Sequence, residues 1–264
     1  MRSTPTKRRQ RSLLAILVVV SGLLAFSASS LMGQGFRWPE EPENLQVLPE
    51  NVKGRVLGQY MRGFASALGV RCSFCHVGEG PDLTQYDFPA DDKLTKQKAR
   101  VMIEMVQAIN GSHLERLTEL GVPAEERIEV TCMTCHRTNN RPVMLDDLLA
   151  ATIDSAGVEA AIARYRELRE EYYGGFAYNF GSGTLIGLGE QLAGEGEVDA
   201  AIAILELEIE VNGESSNVYF TLGGVQARAD MREDAIASFE KGLALAPDQF
   251  KVFFQREIDR LRER

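Results

Sequence analysis

Two five-residue stretches constrain this chain more than anything else in it: Cys72-Ser73-Phe74-Cys75-His76 and Cys132-Met133-Thr134-Cys135-His136, each of the form C-x-x-C-H. Two thiols at this spacing can add to the vinyl groups of one haem, and the imidazole that follows is then placed to coordinate the iron from one face. The chain has four cysteines and three histidines, so the motifs use every thiol and all but one imidazole. No thiol is left for a disulfide. The pattern predicts two covalent c-type haems, one on Cys72 and Cys75 with His76 on its iron, the other on Cys132 and Cys135 with His136.

Two C-x-x-C pairs could instead form an all-cysteine zinc site or two redox dithiols. Zinc gives no reason for a histidine directly after both motifs. The 56 residues between Cys75 and Cys132 also exceed the zinc-ribbon spacing of roughly 15–20.

Covalent haem attachment takes place outside the cytoplasm, and the N-terminus carries the matching signal. Lys7, Arg8, Arg9 and Arg11 form a basic region, Leu13 to Phe26 is apolar apart from Ser21 and Gly22, and the small residues Ser27 to Ser30 follow. Residues 1–33 read as a signal peptide or, since about 20 apolar residues just span a bilayer, as an uncleaved anchor in the inner membrane. The expected location is periplasmic or exported.

Five of the basic residues and no acid lie in residues 1–33, so the formal charge of −9 becomes −14 once those five positive charges are taken away. Such a surface argues against nucleic acid and anionic lipid as partners and favours a basic docking partner.

In chain order, residues 34–50 lack any period and contain Pro39, Pro42 and Pro49, which reads as a linker. Val56, Leu57, Tyr60, Met61, Phe64 and Leu68 then recur at helical spacing, with Gly69 where a C-terminal cap belongs. Gly78 to Asp92 reads as a loop. A second helix is expected from about Thr95 to Asn110, with Val101, Met102, Met105, Val106 and Ile109 on one stripe and Gly111 after its end. The expectation is an all-α chain with a dihaem domain over residues 51–144 and a helical repeat domain over 145–264.

An iron that only transfers electrons needs a sixth ligand, and thioether sulfur is one group that supplies it. Met61 lies 15 residues before His76 on the preceding helix, and Met102 and Met105 lie one turn apart on the helix before the second motif. Methionines on an apolar stripe are also ordinary core packing.

From Leu45 to about Pro142 the chain resembles the haem-binding repeats of the cytochrome c subunit of photosynthetic reaction centres, a four-haem electron donor. The resemblance rests on Tyr60-Met61-Arg62-Gly63-Phe64 before Gly69-Val70-Arg71-Cys72-Ser73-Phe74-Cys75-His76. It continues in Ala99-Arg100-Val101-Met102-Ile103-Glu104-Met105 with Ala108-Ile109-Asn110, and in Val130-Thr131-Cys132-Met133-Thr134-Cys135-His136-Arg137. It covers the first two haems of that subunit. By position it implies Met61 as sixth ligand of the first iron and Met102, rather than Met105, as that of the second. His113 falls beside the place where that family ligates a distant haem, which is absent here, and is expected as a solvent or propionate contact. Thr138 stands where the family has glycine after Arg137.

Beyond residue 144 a period of 34 appears: Leu188-Gly189 recurs as Leu222-Gly223, and Ala201 as Ala235. That is the period of a tetratricopeptide repeat, a helix pair with small residues at the crossing. Ala160-Ala161-Ile162-Ala163 and Ala200-Ala201-Ile202-Ala203 are 40 apart, the surplus falling in the loop Tyr172 to Gly183, which gives two full repeats and an irregular half. Short arrays of this kind bind a partner or self-associate.

The sequence therefore points to an exported dihaem electron carrier or relay, not an enzyme, with redox proteins as partners and the repeats as a docking module. The competing readings are a dihaem peroxidase-like enzyme with one open iron site, and a haem-based sensor with the repeats as output.

Overall fold

The structure, a computed structural model, describes residues 36–263, so the signal or anchor expected in residues 1–33 lies outside the described residues. Among the described residues no helix is long and apolar enough to cross a membrane. The chain is all-α, and the one β-pairing among the described residues is the isolated bridge between Val77 and Asp87. Among the described residues two compact units are formed: one from residues 36–62 together with Cys72–Met105, the other from Gly63–Arg71 together with residues 106–263.

In the first unit, residues 36–53 form no helix or strand, as their prolines dictate, yet they are held in place. Pro39 O accepts from Gly54 N at 2.8 Å. The Trp38 indole lies against Gly58, where a Cβ would come within 2.6 Å of the ring, so only glycine fits. Helix α1, Gly54–Leu68, carries the apolar stripe read from the sequence. It ends as a Schellman motif: Gly69 at φ 65° donates to Ser66 O and Val70 to Ala65 O.

Helix α2, Leu94–Ala108, starts and stops close to expectation, but Gly111 is not its left-handed cap. The chain instead widens into a π turn over Ile109–His113, closed by Leu114 N to Ile109 O at 2.8 Å. In that turn the Asn110 side chain brackets Val130, accepting from its N–H at 2.9 Å and donating to its carbonyl at 2.8 Å. An unpaired amide is thereby satisfied, and the second motif is fixed just upstream. His113 is exposed on the same turn.

The second unit holds the short helix α3, Cys132–His136, and seven more: α4 Leu145–Ala156, α5 Val158–Tyr172, α6 Ser182–Glu195, α7 Val198–Asn212, α8 Ser216–Arg228, α9 Arg232–Leu245 and α10 Asp248–Arg262. Each of α4 to α10 packs on its sequence neighbour or on the next helix but one, which joins them into a row. Starts of α6 and α8, and of α7 and α9, are 34 residues apart, while those of α5 and α7 are 40 apart. The irregular half has a partner helix, α4, that the sequence pattern did not single out. Small residues sit at the crossings: a Cβ on Gly189 would meet Leu205 at 2.7 Å, and one on Gly223 would meet Phe239 at 3.0 Å.

The core is built in this row, from Leu145 and Leu149 through Tyr165, Leu188, Ile204 and Val218 to Phe239 and Ile258. Between residues 36 and 144 the buried side chains are only Val52, Leu57, Ala67 and, unexpectedly, Lys96. Much of the apolar surface there faces outward, with Val101 60% and Met102 and Met105 each 43% exposed.

Candidate haem-binding sites

Three residues separate the end of α1 from the first motif, which begins as one 3-10 turn over Cys72–Phe74. Cys75 N and His76 N both donate to Cys72 O, at 3.3 and 3.0 Å, which folds the two thiols and the imidazole into one tight loop. The start of α2 pins this loop from outside, with the Lys93 ammonium donating to Ser73 O and the Thr95 hydroxyl to Phe74 O.

The loop that follows returns under the imidazole. Asp87 N donates to Val77 O at 2.9 Å, Tyr86 stacks on Phe88 at 5.5 Å, and the Tyr86 ring covers Gly78, where a Cβ would lie 2.5 Å from it. Phe88 then touches the His76 ring edge-on at 5.0 Å, and its carbonyl oxygen stands 3.2 Å from His76 Nδ1. A carbonyl can only accept, so Nδ1 carries the proton and the lone pair is left on Nε2. Burial draws His76 below its ordinary pKa, the Lys96 charge acts in the same direction, and the bond to Phe88 opposes them. Burial and the neighbouring charges thus favour the neutral ring, the form that coordinates a metal.

The second motif is α3 itself. Thr131 and Thr134 cap its start reciprocally, and Arg137 and Thr138 leave it in left-handed conformations, φ 48° and 69°. Thr138 thus keeps the backbone shape that glycine adopts without cost. Its N–H donates to Ala67 O at 2.9 Å, and its carbonyl lies against Gly69, where a Cβ would come within 2.1 Å. His136 Nδ1 is 2.9 Å from Asn139 O, which again assigns the proton to Nδ1 and the lone pair to Nε2. The Asn139 side chain donates to Tyr178 OH at 2.7 Å.

All four thiols are free. Burial pushes Cys75 and Cys132 up from the ordinary thiol value, the opposite of an activated redox dithiol. Among the described residues no three His, Cys, Asp or Glu side chains gather into a metal cluster, so the zinc reading finds no ligand set. The residues fit haem: in each motif two thiols stand within four positions of an imidazole whose Nδ1–H is held by a backbone carbonyl. Met61 is half-buried on α1, and Met102 and Met105 are exposed one turn apart on α2.

Sequence reasoning missed Lys96, Phe88, Asn139 and Tyr178. The carbonyls of Phe88 and Asn139 act through the backbone and leave no side-chain signal, and Lys96 lies outside the apolar stripe read for its helix. The tie of Trp38 to Gly58 had one available sign, because Trp38 is the only tryptophan.

Residues 71–156 match the family model of the photosynthetic reaction centre cytochrome C subunit, a stretch that includes both motifs, α2, α3 and α4 and begins downstream of Met61. No curated protein matches the chain.

Proposed function

We propose that the chain is an exported dihaem c-type cytochrome that carries or relays electrons, with its haem domain over residues 51–144 and a tetratricopeptide-like module over 145–264 that binds a protein partner. The observation that carries this reading is the paired arrangement of Cys72, Cys75 and His76 and of Cys132, Cys135 and His136, each imidazole fixed through Nδ1 with Nε2 left for iron. Bound haem supplies one-electron exchange at iron. The thiols tether it, the Phe88 and Asn139 carbonyls orient the imidazoles, and apolar side chains of α1 and α2 exclude water from the ring.

Met61 and Met102 complete the two irons in this reading, by resemblance to the reaction-centre family. With Met61 and Met102 so placed, bound iron would have no position open to substrate, and the protein would be a carrier and not a peroxidase. Support for the module comes from helix starts repeating at 34 residues and from glycines at the crossings.

The test is a pyridine haemochrome assay, electron paramagnetic resonance of the oxidised protein and a hydrogen peroxide assay on one preparation. Two haems, two low-spin signals and negligible turnover are expected. A large high-spin signal with peroxide turnover would replace the carrier by the dihaem enzyme.

A further inference from the structure

The one charged side chain buried in residues 36–144 is Lys96, 9% exposed in the first turn of α2. Its ammonium donates to three successive carbonyls, Phe88 O at 2.9 Å, Pro89 O at 2.9 Å and Ala90 O at 2.8 Å, and pairs with Asp91 at 3.0 Å. Asp91 in turn binds Arg100 at 2.8 Å and is held well below the usual carboxylate range, chiefly by that bond. A buried ammonium is tolerated only when so surrounded. The Phe88 carbonyl is also the acceptor for His76 Nδ1, so one oxygen serves both the proximal imidazole and a buried cation.

We infer that Lys96 is a positioning residue that raises the reduction potential of the first haem through the Phe88 carbonyl. The inference rests on the reading of Cys72, Cys75 and His76 as a haem site. An oxygen already bonded to an ammonium is a weaker acceptor, so His76 keeps its Nδ1 proton more fully and donates less electron density through Nε2. Less donation favours ferrous over ferric iron. The charge acts in the same direction, because Lys96, Lys93 and Arg100 each act on the imidazole against further positive charge and so disfavour ferric iron. The second motif provides the contrast: Asn139 O accepts from His136, and among the described residues no lysine donates to it.

The full-length haem protein tests this by spectroelectrochemical titration of both haems. Lys96→Met should lower the potential of the first haem and leave the second in place. Asp91→Asn, which removes the opposing negative charge, should raise it. A general loosening would let water in and lower the potential in both variants, so the opposite signs separate tuning from structural damage. An unshifted or raised first-haem potential in Lys96→Met overturns the inference. If that variant fails to bind haem, Asp91→Asn decides alone, an upward shift supporting and no shift overturning. The haem content of the unsubstituted protein is measured alongside by pyridine haemochrome: a missing first haem rejects the haem site itself, whereas a full complement with unshifted potentials rejects only the role of Lys96.

Discussion

His136 and Tyr178 are bonded to the two ends of one residue: the Asn139 carbonyl accepts from the imidazole at 2.9 Å, and the Asn139 side-chain amide donates to the phenol at 2.7 Å. Tyr178 belongs to the aromatic loop between α5 and α6, where it meets Tyr172 edge-on at 5.4 Å and Phe180 at 6.2 Å. Phe180 is buried against Tyr165 in the repeat core. The imidazole of the second C-x-x-C-H motif is therefore anchored to helical-row packing by one amide. Tyr178→Phe leaves that amide without its acceptor and should cost about 1 kcal/mol. Thermal unfolding of the haem protein should show the loss, and redox titration should show the second haem shifting with the first unchanged. An unchanged second haem would remove the proposed link.

The junction of Gly69 with Thr138 should be the least tolerant backbone contact in the second unit. Gly69 is left-handed, and any Cβ there would strike the Thr138 carbonyl. Gly69→Ala combines left-handed strain of about 1–2 kcal/mol with overpacking of about 1–3 kcal/mol, and should sharply reduce thermal stability and haem content. Thr138→Gly keeps the backbone shape and should change stability by less than about 1 kcal/mol. Equal effects from the two substitutions would show that the contact does not limit stability.

How far the sequence exposed this structure depends on whether each feature is local. The two C-x-x-C-H motifs are local, each within five positions, and the structure folds the first as a 3-10 turn and the second as a short helix. Gly69 was legible because a helical stripe ended one residue before it. Gly111 looked the same and differs, because Asn110 is drawn to Val130, and a contact 20 residues away has no period. Residues 34–50 read as a linker because their prolines forbid regular structure, but that composition does not reveal Trp38 against Gly58 or Asn44 donating to Pro89 O. Lys96 was invisible for the same reason: its partners are backbone oxygens in an irregular loop.

Glu208 sets a pH dependence in the repeats. It is 1% exposed, accepts from the Asn212 amide at 2.7 Å, and burial raises its pKa although Asn212 and Arg169 oppose the shift. A carboxyl with a raised folded-state pKa is stabilised in its neutral form, so its contribution is complete below its unfolded value of about 4.3 and is lost as pH rises through the folded value. Glu208→Gln keeps an acceptor for Asn212 and removes the ionisation. Melting curves should show the variant matching the parent in acid and melting higher at neutral pH. A variant less stable at neutral pH would mean that the charged form, paired with Arg169, is the favoured one.

Residues 145–264 should fold without the haem segment. Both buried clusters lie wholly inside this range, the first from Leu145 to Val225 and the second from Ala235 to Leu261, and its helices pack on near neighbours in sequence. Arrays stabilised in this way need no distant partner. The one tie identified above that is lost is Tyr178 to Asn139, a neutral hydrogen bond worth about 1 kcal/mol, while Phe180 keeps its packing on Tyr165. The isolated fragment should give a helical circular-dichroism spectrum and one cooperative unfolding transition, somewhat below that of the full chain. A coil spectrum, or helix that melts without cooperativity, would make the row an extension of the haem segment and withdraw the proposal that it is a separate docking module.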